Sequence, residues 1–340
     1  MRPFSQTSNP WVDVLQRPSF HQYPFLTSAK NDSSPGMENA IVIDPEALNV
    51  PWFSSFRMTL QSKHWKAAEE ACRELIENIA QSKAKDKGIL PQNLETFASP
   101  AARAKIDEVV DTSVSIVVNG DTILDEALKD LTLETLAKSP KWTNRIFAEY
   151  AEDIVKEEPE LGLGVLKGIL DFVDLTRTSP PTTTKFKSFR ECLIYRMRDV
   201  GHPFVNAGDK FAGNFQLNDL ELQPLAKLNE LHAYHGTMAN DLYSFSKEYR
   251  GAMQKGSALV NGANTLQELL GIAPASARKM LCVYLWDIED QIHAEYTRLA
   301  RDEVLSQKQL SYVRGMIECI AGNLFHMATR PRYAVQSLDC

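Results

Sequence analysis

The stretch Asn240-Asp-Leu-Tyr-Ser244-Phe-Ser-Lys247-Glu248-Tyr-Arg250 decides how this chain is read. At about 100° per residue on an α-helix, Asn240, Ser244, Lys247 and Glu248 share an arc of roughly 100°. That face carries an amide oxygen, a hydroxyl, an ammonium and a carboxylate. Three oxygen ligands beside a cation suit a Mg2+–diphosphate complex, because Mg2+ prefers octahedral oxygen ligation completed by water and phosphate. The lysine meets phosphate oxygens as a point charge. Taken without its surroundings, the same string is also a solvated face laced with i,i+4 pairs.

Around this segment the chain reads as helical. Trp65, Ala68, Cys72, Leu75, Ile76 and Ile79 recur at three- and four-residue steps. The same periodicity predicts helices over 101–131, 143–157, 160–176, 188–199, 222–250, 264–272, 275–304 and 306–329. The Pro/Thr cluster at 179–185 and the stretch GHPFVNAGDKFAGN at 201–214 break the pattern. Apolar alternation is confined to 41–43 and 115–118, too short to suggest a sheet. Residues 1–45, rich in Pro, Ser and Asn, read as an irregular tail. Residues 46–340 then form one all-α domain, since no long linker divides them.

Composition narrows the partners. The 340 residues are 44% hydrophobic and carry a net charge of −7 with no basic stripe, so a nucleic-acid partner is not expected. No run approaches the roughly 18 apolar residues that cross a bilayer, so membrane insertion is not expected either. The N-terminus lacks the apolar centre of a secretory signal. The five cysteines are odd in number, far apart and without CxxC spacing. They read as reduced thiols of a cytoplasmic protein, monomer or homodimer.

Three segments then match one family in order. The motif ND-L-x-S-x-x-K-E at 240–248 resembles the second metal-binding motif of class I terpene synthases, particularly the fungal sesquiterpene cyclases. The stretch Gly322-Asn-Leu-Phe-His326-Met-Ala-Thr329-Arg-Pro-Arg332-Tyr333 is similar to their C-terminal segment, with His326 where the family commonly has Trp. Upstream, Tyr195-Arg196-Met-Arg198-Asp199-Val200-Gly201 resembles the segment holding the pyrophosphate sensor and a helix break. It stands 44 positions before Asn240, as in fungal members. The break has a local cause, because Gly201 and Pro203 do not sustain a helix cheaply.

The resemblance implies a helical bundle around a central cavity, in which a linear prenyl diphosphate is ionised and its carbocation cyclised. It implies Asn240, Ser244 and Glu248 as ligands of one Mg2+, among three ions in all. Arg196 takes the sensor position, with Arg198 the competitor if the register slips. Asp199 falls at the linker and Val200 at the effector. Arg196, Lys247, Arg332 and Tyr333 are implied as diphosphate ligands, and His326 as a pocket residue that stabilises a cation or removes a proton, against the alternative of a core histidine. The aspartate-rich first motif is matched weakly by Val117-Val-Asn-Gly-Asp121-Thr122-Ile-Leu-Asp125-Glu126. Asp121 and Asp125 are its candidate ligands, with Glu126 in reserve if Gly120 ends the helix early; Asp171 and Asp174 fall too late in the chain. Phe211, Tyr234, Trp286 and Phe325 are aromatic candidates for shielding the cation, although any one is as well placed in the core.

Length points by resemblance to farnesyl diphosphate, and humulene-type products are weakly favoured. Other prenyl-diphosphate enzymes, including diterpene cyclases and prenyltransferases, stay as alternatives. A chain-elongating prenyltransferase carries two aspartate-rich motifs, and a class II cyclase carries DxDD, which is absent here. From a different class, a non-catalytic helical interaction module fits the same composition, its charge runs merely solvated.

Overall fold

A computed structural model describes residues 40–50, 52–64, 66–67, 151–177, 185–256, 258–301 and 305–329. They fall into two compact units. One comprises the described residues up to Ser62 and those after 178, and the other lies between Lys63 and Thr178. In the latter, helical residues 151–157 precede α1 (Pro159–Arg177). Asp171, on α1, is exposed. The helix expected over 101–131 lies outside the described residues.

The larger unit is built of helices whose limits follow from local chemistry. The Ser188 hydroxyl accepts a 3.1 Å bond from the Glu191 N–H and starts α2 (Phe189–Asp199). Gly201, at φ 73°, ends that helix, and Pro203 sits in the first turn of α3 (His202–Ala212). The break expected at Gly201 and Pro203 is therefore present. An Asn218–Glu221 capping box opens the short α4 (Asp219–Leu222). The 222–250 helix starts later and runs longer than its periodicity suggests. Pro224 fits the 3-10 turn over Gln223–Leu225, and α5 (Ala226–Lys255) follows and closes at Gly256. Asn261 caps α6 (Gly262–Leu270), and α7 (Pro274–Arg301) and α8 (Gln307–Thr329) complete the unit.

The tail reading of 1–45 needs one correction. Ala40–Ile43 form strand β1, paired antiparallel with β2 (Thr59–Ser62) in the register Ile41 opposite Gln61. The alternation of 41–43 was too short to argue a sheet alone; its hydrogen-bonding partner comes from a separate polar segment.

Two apolar clusters pack between α5, α7 and α8, one around Leu228, Ile288, Tyr312 and Ile320, the other around Met238, Ala263, Leu281 and Leu324. The segment before β2 is held on this core by one buried carboxylate. Glu289, fully buried on α7, accepts from the Ser54 hydroxyl at 2.7 Å, the Ser55 N–H at 2.8 Å and the Ser55 hydroxyl. His235 Nε2 of α5 lies 3.1 Å from Oε1, the oxygen that also takes the Ser54 hydroxyl. The indole N–H groups of Trp52 and Trp286 donate to the carbonyls of Phe56 and Phe53, fixing the same segment. Cys192, Cys282 and Cys319 are free thiols. Among the described residues no helix is long and apolar enough to cross a membrane.

One turn before His235 on α5, His232 Nδ1 stands 3.1 Å from His202 Nε2, and Asp209 lies beside His232. Burial lowers His202 to about 4; burial, with His202 and His235 nearby, lowers His232 to about 3. Both are neutral in the folded protein near pH 7. As pH falls below the ordinary imidazole value, the unfolded chain takes up protons that the native pair refuses, so stability falls. Between pH 7 and 5 the pair contributes a loss of roughly 4 kcal/mol. Asp209, raised by burial to about 6, titrates in the opposite sense and offsets about 1 kcal/mol of it. In urea unfolding, His202→Gln should flatten the stability loss between these pH values by about 2 kcal/mol. Parallel curves for parent and variant would contradict burial of a neutral pair.

A second expectation concerns Glu289. Glu289→Ala strands two buried hydroxyls and should cost about 3 kcal/mol or more in the same assay. A loss below about 1 kcal/mol would contradict its role as the anchor of residues 52–56.

Candidate active site

The break between α2 and α3 brings Arg196 to the edge of the polar face of α5. Arg196 is 5% exposed, so its charge must be met by the protein. Its Nε donates to Asp241 Oδ1 at 3.0 Å, and one terminal nitrogen also bonds Asp241 Oδ1. That same nitrogen makes a longer contact of 3.4 Å to Asn240 Oδ1, and the other terminal nitrogen bonds Asp199. Burial pulls the guanidinium down, but Asp241, Glu248 and Asp199 outweigh it, and it stays charged.

Asp241 is the residue that periodicity does not mark. It is fully buried, one position off the polar face, among the apolar neighbours of α5. Its Oδ2 accepts the Gly262 N–H at 2.5 Å, where the first N–H groups of α6 await partners. Asp241 thus ties α2, α5 and α6 together. A Cβ at Gly262 would stand 3.0 Å from that carboxylate oxygen, so a larger residue would have to push the two apart by a few tenths of an ångström.

Asn261 completes the arrangement. Its Oδ1 accepts from the Ala263 N–H at 2.8 Å, the ordinary work of an N-cap. Its Nδ2 donates to the Asp241 carbonyl and to Glu248 Oε2, both at 2.9 Å. One amide therefore starts α6 and orients Glu248. The sequence signal was there in Asn before a helical run, but a cap signal does not say where the other end of the amide points.

Asn240, Ser244 and Glu248 stand four residues apart on α5, as expected. The Ser244 hydroxyl is buried without a hydrogen-bond partner among the described residues. With the Ser244 hydroxyl uncommitted between an amide oxygen and a carboxylate, the three oxygens fit a hard divalent ion. Lys247 is exposed at the same end of α5. Val200 is the C-cap of α2 and Gly201 the N-cap of α3. Arg198, the alternative sensor, is exposed, whereas Arg196 faces Asn240.

Other candidates separate. His326 is exposed near the end of α8 and is not a packed core histidine. Trp286 is buried in the core with its N–H committed to Phe53. Tyr234 packs against both apolar clusters, Phe325 against one, and Phe211 is half-buried on α3. Asp121, Asp125, Arg332 and Tyr333 lie outside the described residues, as do Thr122 and Glu126.

No protein-family model matches the chain. Whole-chain relatives are nevertheless clear. The chain is 33% identical over 328 residues to terpene cyclase 6 of Gibberella fujikuroi, covering 88% of each protein. It is 29% identical over 360 residues to terpene cyclase aneC of Aspergillus aculeatus, covering 95% of this chain and 79% of that one. The chain belongs to the fungal class I terpene cyclases. An aristolochene synthase of Aspergillus terreus matches more locally, 27% identical over 148 residues, 42% of this chain and 46% of its own. Among solved structures, aristolochene synthase from Penicillium roqueforti superposes with a TM-score of 0.48 at 20% identity, over 59% of this chain and 72% of that one.

The Arg196–Asp241 pair generates a stability test. Asp241→Ala leaves a buried guanidinium without its main counter-charge and should cost about 3 to 5 kcal/mol in urea unfolding. Adding Arg196→Met should recover most of that loss, since an apolar pair of similar volume does without desolvated charges. Additive losses in the double variant would contradict the pairing.

Proposed function

We propose that this terpene cyclase ionises farnesyl diphosphate in a Mg2+-dependent reaction and closes the resulting carbocation into a sesquiterpene, with humulene-type rings weakly favoured. The carrying observation is the buried, carboxylate-held Arg196 facing an α5 surface on which Asn240, an unpartnered Ser244 hydroxyl and an oriented Glu248 converge. Farnesyl diphosphate is the first substrate to assay; aristolochene synthases stand among the relatives, beside a sesterterpene synthase and a type I diterpene synthase.

Asn240, Ser244 and Glu248 would hold one Mg2+, and Asp121 with Asp125 the others of the three ions usual in this family. Bound there, the ions supply charge neutralisation of the departing diphosphate. The protein's own part is preorganisation. Arg196 is set in place by Asp241 before any substrate arrives, so little reorganisation accompanies the build-up of leaving-group charge. The long 3.4 Å contact to Asn240 is the one Arg196 gives up most readily to a phosphate oxygen. Lys247, Arg332 and Tyr333 add further donors. Asp199 joins Arg196 to the end of α2, and Val200, the C-cap of that helix, would then act at the reacting end of the substrate. Water has to be kept from the cation, which an apolar lining from the surrounding helices would do. His326 is kept as a residue at the pocket's rim.

Activity assays test this reading directly. Glu248→Ala and Asn240→Ala should each lower diphosphate release from farnesyl diphosphate at least about 100-fold. Their circular dichroism should match the parent. Full turnover by folded Glu248→Ala protein, or turnover in excess chelator, would refute the mechanism. Asn261→Ala should weaken Mg2+ affinity, read by titration calorimetry, by about 10-fold or more, since it removes the group that aims Glu248. Unchanged affinity would refute the orienting role. Asp121→Asn should slow ionisation severely while Asp171→Asn stays near the parent rate; the reverse result would move the first metal site to another helix.

A further inference from the structure

Three helices converge on a small polar grouping that the ionisation site does not use. Asp209 of α3, His232 of α5 and Cys319 of α8 each offer one ligand atom, and these atoms all lie within 4.8 Å of one another. Among the described residues they are the one group of three His, Cys, Asp or Glu side chains placed to share a metal ion.

The hydrogen bonds around the grouping leave its inner atoms uncommitted. His202 Nε2 and His232 Nδ1 are 3.1 Å apart, so one ring donates to the other. Were His202 the donor, His232 Nε2 would carry a hydrogen 3.9 Å from Asp209 Oδ2, which is buried with no hydrogen-bond partner. A hydrogen between those two atoms would draw them to about 2.8 Å. His232 is therefore the donor, and its Nε2 keeps a lone pair turned toward the carboxylate and the thiol. Two buried acceptors facing one another with no donor between them lack a partner that both need. Their 3.9 Å gap is too wide for a hydrogen bond. It is close to the separation of two ligands on one tetrahedral zinc ion, roughly 3.3 Å for Zn–N and Zn–O bonds of about 2.0 Å.

The donor set fits that ion. One imidazole nitrogen, one thiolate and one carboxylate suit Zn2+, whereas Mg2+ keeps to oxygen ligands such as those of Asn240, Ser244 and Glu248. The His202–His232 bond supplies what a metal-bound imidazole needs on its far nitrogen, a partner that fixes tautomer and ring orientation. The Tyr312 phenol nearby is taken up by Asn206 and Asn229, so a water fills the fourth position. The Cys319 thiol bonds the Asp209 carboxyl, and burial beside that carboxylate holds the thiol proton on. A bound ion displaces this proton to solvent, and its two positive charges then meet one thiolate and one carboxylate.

We propose that Asp209 Oδ2, His232 Nε2 and Cys319 Sγ together bind one Zn2+ ion, separate from the metals of ionisation, which staples α3 and α8 to α5. The site stands whatever substrate the enzyme takes.

The test titrates the full chain, first stripped with a chelator, with Co2+ as a coloured stand-in for Zn2+. One Co2+ per chain should bind, with the intense visible bands of four-coordinate cobalt and a near-ultraviolet sulfur-to-cobalt charge-transfer band. Equimolar Zn2+ should remove this spectrum, and a large excess of Mg2+ should leave it. Cys319→Ser should abolish the charge-transfer band, and His232→Gln should weaken Co2+ binding at least about 10-fold. His202→Leu keeps all three ligands but removes the partner of Nδ1, and should weaken binding about 10-fold. Zn2+ should raise the thermal unfolding midpoint of the parent and not that of Cys319→Ser. If His232→Gln fails to fold, Cys319→Ser carries the test, because it exchanges a single atom. A parent without the charge-transfer band, or a band that survives in Cys319→Ser, overturns the inference. Parent-like Co2+ affinity in both Cys319→Ser and Asp209→Asn overturns it equally.

Discussion

A guanidinium held away from water by two carboxylates is the interaction on which the upper part of this bundle depends. Arg196 and Asp241 are each almost wholly buried, and neither is tolerable there without the other. Because Asp241 also takes the first N–H of α6, the pair fixes three helices at one point. Apolar contact alone fills space without dictating direction. The ion pair and its hydrogen bonds supply direction, aiming Arg196 at Asn240 and, through Asn261, Glu248 at the same face.

The helix break is the second constraint, and it follows from two residues. Gly201 adopts a left-handed conformation that other residues resist, and Pro203 has no N–H to continue α2. The chain therefore changes course just after Asp199. Above the break it presents Arg196 and Asp199 to the α5 face. Below it, His202 and Asp209 meet His232. One interruption thus sets two buried polar groupings against α5, the Arg196–Asp241 ion pair on one side of the break and the His202–His232–Asp209 cluster on the other.

Much of this was legible in the sequence, and the reasons for the rest are physical. The Asn240, Ser244 and Glu248 stripe is a matter of helical period, which survives whatever packs against it. The break was legible because Gly and Pro act on their own backbone. Asp241 was not, since one buried carboxylate beside an Asn reads as another surface acid until its partner is known. Asn261 was not either, because an Asn ahead of a helical run signals at most a cap, and its bond to Glu248 appears only in the fold. The β1–β2 ribbon escaped because a four-residue strand has meaning only beside its partner, and Trp286, an aromatic candidate for the pocket, belongs to the core through its bond to Phe53. The His202–His232–Asp209 cluster combines residues from two helices with no common motif, so only the fold unites them.

The central claim is that the Asn240–Ser244–Glu248 face and Arg196 form one ionisation site. Its most direct test is anomalous diffraction from crystals grown with Mn2+ and inorganic diphosphate. The account predicts a Mn2+ peak bound by Asn240, Ser244 and Glu248, with a diphosphate oxygen on the Arg196 guanidinium. Mn2+ bound away from α5, or diphosphate held where Arg196 cannot reach it, would contradict the account.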